Sequence, residues 1–313
     1  MTKDTYKNFY KQLSKIKKNE MLSQAKKIWK FNRSLTGKGN IQTINFLKKI
    51  NPKLKNKFIK SGSKVYDWIV PQEWHINDAY IEDENGKKYF EFTKNNLHLV
   101  GYSHYVNEIM DFKEIENKIH YLKKQPDFIP YVTTYYKKDW GFCCSYNEFK
   151  KLDKKKKYKV VINSSFSKGK MNYGELFIRG KTKKEVFFST NICHPSMANN
   201  EISGIILAST LAKILSNIGN LKYSYRFIFI PETIGSISYI KKNFNNLKKN
   251  VFAGYVLSCV GDDRDYSIIH SRVGKTLSEK MLKEALKNKK HTVYSYLNRG
   301  SDERQYCSPK INL

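Results

Sequence analysis

Apolar residues recur at helical spacing early in the chain. Met21-Leu22-Ser-Gln-Ala-Lys-Lys-Ile28-Trp29 and, after a break at Leu35-Thr-Gly-Lys-Gly-Asn40, Ile41-Gln-Thr-Ile-Asn-Phe-Leu47 each carry one apolar face, so residues 1 to about 60 read as helical. From about Gly62 to Tyr146 the period shortens. Tyr66–Pro71, Asp78–Glu82, Lys88–Phe92 and Tyr131–Tyr136 read as short strands, and Glu84-Asn85-Gly86 between two of them is a hairpin signal. From about Lys159 the pattern alternates. Strands are expected at Lys159–Asn163, Gly174–Ile178, Glu185–Ser189, Tyr225–Ile230 and Val251–Cys259. Helices are expected at Ser203–Leu215, Gly235–Phe244 and Thr276–Leu286. In the first of these, Ile205, Ile206, Ala208, Leu211, Ala212 and Leu215 form the buried side. Strand–helix alternation marks an α/β sheet with helices on its faces.

This divides the chain into a discontinuous α/β domain, residues 1–60 and 155–313, and a β-rich module inserted at 61–154. The insertion is aromatic-rich, and its place between the two halves suits a lid or pocket wall.

Composition narrows the function classes. The chain has 313 residues, 40% of them hydrophobic and 14% aromatic, which suits a folded globular protein. No run approaches eighteen consecutive apolar residues, so no membrane span is expected, and Met1-Thr-Lys-Asp-Thr-Tyr-Lys lacks the apolar core of a signal peptide. The five cysteines show no CxxC pair, which favours free thiols in a reducing, cytoplasmic setting. A formal charge of +30 invites a nucleic-acid reading, yet the excess is mostly lysine spread from end to end. Runs such as Lys154–Lys157 read as solvated turns, and arginine, the residue of base readout, is scarce beside lysine. No nucleic-acid partner is expected.

The chemistry collects where strands end. His194 closes one strand and precedes Asn199-Asn200-Glu201 and a helix start at Ser203-Gly204; Glu232 closes the next, just before Gly235. Ligands in open α/β sheets sit at the carboxyl ends of strands. His194 there suits a metal ligand, a general base or a satisfied structural residue, and Glu232 suits a proton shuttle beside a metal-bound water. Ser258-Cys-Val-Gly-Asp262-Asp263-Arg264 and Gly300-Ser-Asp302-Glu303 add acidic groups at two further loops. Cys193 and Cys259 flank these residues as soft donors and read first as buried strand residues.

These segments resemble the zinc aminopeptidase superfamily of leucyl aminopeptidase and glutaminyl cyclase. Ala198-Asn199-Asn200-Glu201-Ile202-Ser203-Gly204 and Glu232-Thr233-Ile234-Gly235-Ser236 match its ligand loop and its Glu-Glu-x-Gly segment in register. Ser34-Leu-Thr-Gly37, Val70-Pro-Gln-Glu-Trp74, Cys193–Glu201, Pro231–Ser236 and Gly300–Cys307 bring the chain closer still to the aminopeptidase-like proteins of bacterial polysaccharide biosynthesis clusters. The resemblance implies a zinc-peptidase-like mixed sheet flanked by helices, with the β-rich insertion. It also implies a zinc-dependent hydrolase cleaving an amide bond, with Glu232 as general base.

The departures shape the expected site. The bridging aspartate falls on Asn200, a second glutamate ligand on Thr233 and a later aspartate at or near Ser258; the last histidine ligand has no counterpart up to Leu313. One zinc ion is therefore expected rather than two. His194, Asp262 and Asp263 are the candidate ligands, and Asn200, Glu201, Asp302 and Glu303 are further metal or substrate contacts. The substrates to weigh are a small peptide, an aminoacyl group or an N-acylated sugar. The rival readings are an inactive binding protein on a peptidase fold and a deacylase of an N-acylated sugar.

Overall fold

A computed structural model describes residues 3–309. The chain forms two compact units, one of residues 1–35, 39–70 and 171–313, the other of residues 36–38 and 71–170.

The first unit is built on a five-stranded sheet. In spatial order its strands are Lys55–Lys60, Lys170–Ile178, Ser224–Ile230, Glu185–Asn191 and Val251–Val256. Glu185–Asn191 runs parallel to both its neighbours, whereas Lys170–Ile178 is antiparallel to Ser224–Ile230, so the sheet is mixed. Parallel neighbours need crossover connections, and these are the helices Ser203–Ile218 and Ile234–Asn250.

Ser203–Ile218 lies in the larger apolar cluster, where Ile205, Ile206, Ala208, Ala212 and Leu215 pack on Phe227 and Phe229 of the sheet. Ile28, Ile44 and Leu47, from the helices Lys18–Trp29 and Lys38–Ile50, join the same cluster. Ile234–Asn250 packs Tyr239, Ile240 and Leu247 against Phe187, Ile228 and Ile230 in a second cluster. Helix Ser203–Ile218 starts close against the sheet. A Cβ on Gly204 would stand 2.3 Å from the Leu257 carbonyl oxygen and 2.6 Å from Thr190 Oγ1, so only glycine fits.

A charged lattice crosses this sheet. Arg226 grips Glu185 through Nε at 2.6 Å and Nη2 at 3.0 Å, and reaches Glu175 through Nη1 at 2.5 Å. Tyr239 donates its hydroxyl to Glu175, and Lys57 pairs with the same carboxylate. Burial pushes the Glu175 carboxyl up, but Lys57, Tyr239 and Arg226 outweigh it and hold it below the ordinary value.

The second unit holds a four-stranded sheet in the order Lys88–Tyr89, Glu73–Glu82, Lys157–Ser167, Val106–Asp111, antiparallel throughout. Lys157–Ser167, whose centre the sequence pattern groups with the α/β strands, pairs here with Glu73–Glu82 and Val106–Asp111. The Glu84–Gly86 turn closes a short hairpin in which Glu82 opposes Lys88, with Gly86 at φ 76°. Tyr131–Tyr136 forms only an isolated bridge, at Thr133. Its aromatics give it strand-like composition, but its side chains pack in ring contacts such as Tyr102–Tyr135 rather than along a ladder. Lys55–Lys60, inside the stretch read as helical, is a strand at the sheet edge.

Candidate active site

Strand Glu185–Asn191 delivers Asn191, Ile192, Cys193 and His194 in succession to its carboxyl end. The paired strand Ser224–Ile230 delivers Glu232 to the same end, since Asn191 lies opposite Ile230 in register. The two strands are parallel neighbours, so both chain exits open at one rim.

His194 is held between two carboxylates. Its Nδ1 lies 3.3 Å from Glu201 Oε1, and its Nε2 lies 3.4 Å from Glu232 Oε2. Burial opposes charging the imidazole, yet the Cys193 sulfur and the Glu201 and Glu232 carboxylates carry its pKa well above the ordinary histidine value.

Glu201 has no solvent exposure and is saturated. Its Oε1 accepts the backbone N–H of Cys193 and, at 2.8 Å, that of His194; its Oε2 accepts from Arg33 Nε at 2.7 Å. Arg33 is equally buried and also donates through Nη1 to the Ile28 carbonyl at 2.5 Å. Burial pushes the Glu201 carboxyl up, but Arg33 and His194 more than offset this and leave it ionised. An ionised carboxylate only accepts, so the ring nitrogen that faces Glu201, Nδ1, carries a hydrogen.

Glu232 keeps 24% of its side chain exposed, which leaves it open to water. Asn191 Nδ2 donates to Glu232 Oε1 at 3.0 Å and also to Ser301 Oγ at 3.0 Å. Thr233 sits at φ 60° and ψ −83°, a left-handed conformation unfavourable for a β-branched residue. Asp302 holds it there. This fully buried carboxylate accepts from the Thr233 N–H at 2.8 Å and from Ser236 Oγ at 2.9 Å. Burial, with the nearby Glu232 charge, pushes Asp302 up to about 7 against these two hydrogen bonds.

The other candidates lie as follows. Glu303 Oε1 accepts from the N–H groups of Gly300 and Ser301 and so shapes the turn that presents Asp302. Asp262 sits on an exposed loop, bonded by Asn199 Nδ2 at 2.7 Å and paired with Arg264 at 3.0 Å; the Arg264 contacts lead in holding it down to about 2. Asp263 is exposed. The Asn200 carbonyl accepts from Ser258 Oγ at 2.8 Å, while its Oδ1 is buried with no hydrogen-bond partner. Sequence reasoning missed Arg33, Asn191, Ser236 and Ser301. Arg33 directly precedes the quoted Ser34–Gly37 phrase, and Asn191 and Ser301 lie within or next to quoted motifs, so proximity was the available signal.

Among the described residues, one group of three metal-binding side chains brings its donor atoms within 4.8 Å of one another: Cys193, His194 and Glu201. Neither Asp262 nor Asp263 belongs to it. Arg33 and two peptide N–H groups already occupy the Glu201 oxygens, Glu232 Oε2 stands at His194 Nε2, and the Glu232 N–H donates to Cys193 Sγ. Imidazole nitrogen, thiol sulfur and carboxylate oxygen are donor types that a zinc-like ion accepts.

The comparisons with known proteins show the family and the fold. A family model described as a domain of unknown function, DUF4910, matches residues 22–313. The chain belongs to this family. A DUF4910 chain of this kind is 40% identical over 308 residues to a Clostridium acetobutylicum protein named as a polysaccharide biosynthesis protein with an aminopeptidase-like domain, covering 98% of this chain and 70% of that protein. A crystal structure of a Clostridium acetobutylicum protein named for a peptidase superposes with a TM-score of 0.90 at 38% identity, covering 99% of this chain and 71% of that one. At the level of fold alone, the zinc aminopeptidase BSAP of Bacillus subtilis gives a TM-score of 0.57 at 11% identity over 88% of this chain and 78% of that one. The peptidase M28 precursor of Shewanella amazonensis gives 0.60 at 10% identity over 99% and 84%. The DUF4910 fold is thus an aminopeptidase-like mixed α/β fold.

Proposed function

We propose that this DUF4910 protein is a metal-dependent hydrolase that cleaves an amide bond at the amino end of a small peptide or aminoacyl compound. The observation that carries the reading is the 3.4 Å approach of His194 Nε2 to Glu232 Oε2, with Glu201 fixing the opposite ring nitrogen. A carboxylate behind a histidine in this way orients the ring toward a metal.

His194 would hold a single ion through Nε2. A zinc-like ion bound there supplies a Lewis acid for the scissile carbonyl and makes nearby water more acidic. The chain's own residues do the rest. Asn191 anchors Glu232 Oε1, which leaves Oε2 to take a proton from the attacking water and return it to the departing amine nitrogen. The exposed side of Glu232 admits water, and Asp302 keeps the strained Thr233 turn from swinging the carboxylate away.

The peptidase names of the relatives favour this reading over a binding protein or a sugar deacylase. The five free cysteines support a reducing, cytoplasmic setting. The test is hydrolysis of aminoacyl-4-nitroanilides by protein stripped with chelator and then reloaded with zinc. Activity that disappears and returns supports the proposal; hydrolysis indifferent to the ion, or none with any aminoacyl group, refutes it.

A further inference from the structure

We propose that the turn 300–303 is a two-state latch on the base: docked, it strains Thr233 and holds Glu232 at His194; lifted, it lets Thr233 relax and the carboxylate withdraw. The role of Glu232 as base rests on the hydrolase reading above, whereas the latch rests on geometry alone.

Neighbouring residues of this turn reach both sides of Glu232. Asp302 Oδ1 accepts from the Thr233 N–H at 2.8 Å and from Ser236 Oγ at 2.9 Å. Ser301 Oγ accepts at 3.0 Å from Asn191 Nδ2, the same amide group that donates to Glu232 Oε1. Glu303 Oε1 accepts from the N–H groups of Gly300 and Ser301 and so preforms the turn. Just beyond it, Tyr306 is the anchor. Its ring meets Phe187 edge-on at 5.0 Å, and its hydroxyl lies 3.1 Å from Ser189 Oγ, both on the strand that leads to His194.

The docked state carries two costs, which is what gives the latch a second state. Thr233 is β-branched and sits at φ 60° and ψ −83°, a conformation that persists only where its surroundings impose it. Asp302 is fully buried, yet its Oδ2 has no hydrogen-bond partner. Lifting the turn removes both costs, because the carboxylate regains water and Thr233 can return to a negative φ. The stretch that leads into the turn exposes Ser295, Leu297, Asn298 and Gly300, so the turn can pivot about Tyr306 without breaking core packing.

The experiment uses the full chain, with crystal structures and aminoacyl-anilide kinetics of Asp302→Ala and of the double variant Thr233→Gly/Asp302→Ala. In Asp302→Ala, Thr233 should adopt a negative φ and the Glu232 carboxylate should leave His194 Nε2. Turnover should fall about tenfold or more through kcat, with KM unchanged. Glycine adopts φ 60° at no steric cost, so the double variant should recover the carboxylate position and most of the rate. A carboxylate still 3.4 Å from Nε2 in Asp302→Ala overturns the latch. A double variant without recovery also overturns it, since an Asp302 acting by charge alone would not respond to residue 233. Thr233→Gly by itself keeps Asp302 and should unfold at a higher temperature than wild type. A lower temperature shows that the turn is unstrained and overturns the latch even where Asp302→Ala fails to fold. Absence of hydrolysis by wild type overturns the hydrolase reading, and the structures then decide the latch.

Discussion

His194 and Glu232 face each other at 3.4 Å from the ends of two parallel, hydrogen-bonded strands. The register that sets Asn191 opposite Ile230 places both just past the sheet, so the pairing is a property of the backbone frame before any side-chain adjustment. A short hydrogen-bonded shell then fixes it: Glu201 behind the imidazole, Asn191 behind the carboxylate.

That shell predicts a graded effect. Asn191→Ala removes the donor to Glu232 Oε1 and leaves the carboxylate free to rotate. Turnover of an aminoacyl anilide should fall roughly 10–100-fold through kcat, with zinc content unchanged. Steady-state kinetics beside metal analysis checks this; a change confined to KM would assign Asn191 to substrate binding instead.

Arg33 and Glu201 form a pair with no solvent exposure on either side chain. Arg33→Met should destabilise the protein by about 3–5 kcal/mol, because it strands an ionised carboxylate in the interior. Adding Glu201→Gln should recover part of that loss. Urea unfolding of the two variants measures it, and equal stability of Arg33→Met and wild type would show that the pair does no structural work.

The lattice around Arg226 predicts acid sensitivity. Glu175 is held below its unfolded value of 4.5, so its contribution is complete above that pH and is lost as pH falls through the lower folded value. Thermal unfolding from pH 7 to pH 3 should show a steeper decline below about 4.5 in wild type than in Glu175→Gln. Parallel curves for the two proteins would contradict the assignment.

Much of this was legible in the sequence because period reports burial. The alternation after residue 170 placed the sheet strands and their crossover helices, although the strand from Val251 stops at Val256 and the helix read to Phe244 runs on to Asn250, and strand ends followed by polar residues marked His194 and Glu232. The second unit was harder, since aromatic residues satisfy a strand pattern and a ring cluster equally well, as at Tyr131–Tyr136. The site's supporting cast was harder still. Arg33 meets Glu201 across 168 positions of chain, a distance over which no local period carries information. Asp262 and Asp263 looked like ligands because acidic residues after a strand suit a metal. The strand instead ends at Val256, and the exposed loop beyond it turns Asp262 toward Arg264 and Asn199.

The most direct measurement is zinc content and anilide hydrolysis of Glu232→Gln beside wild type. The account predicts unchanged zinc with kcat lowered about 10²–10⁴-fold, because the amide keeps the shape of the carboxylate and cannot take the proton. A Glu232→Gln protein that hydrolyses the anilide at the wild-type rate would contradict it.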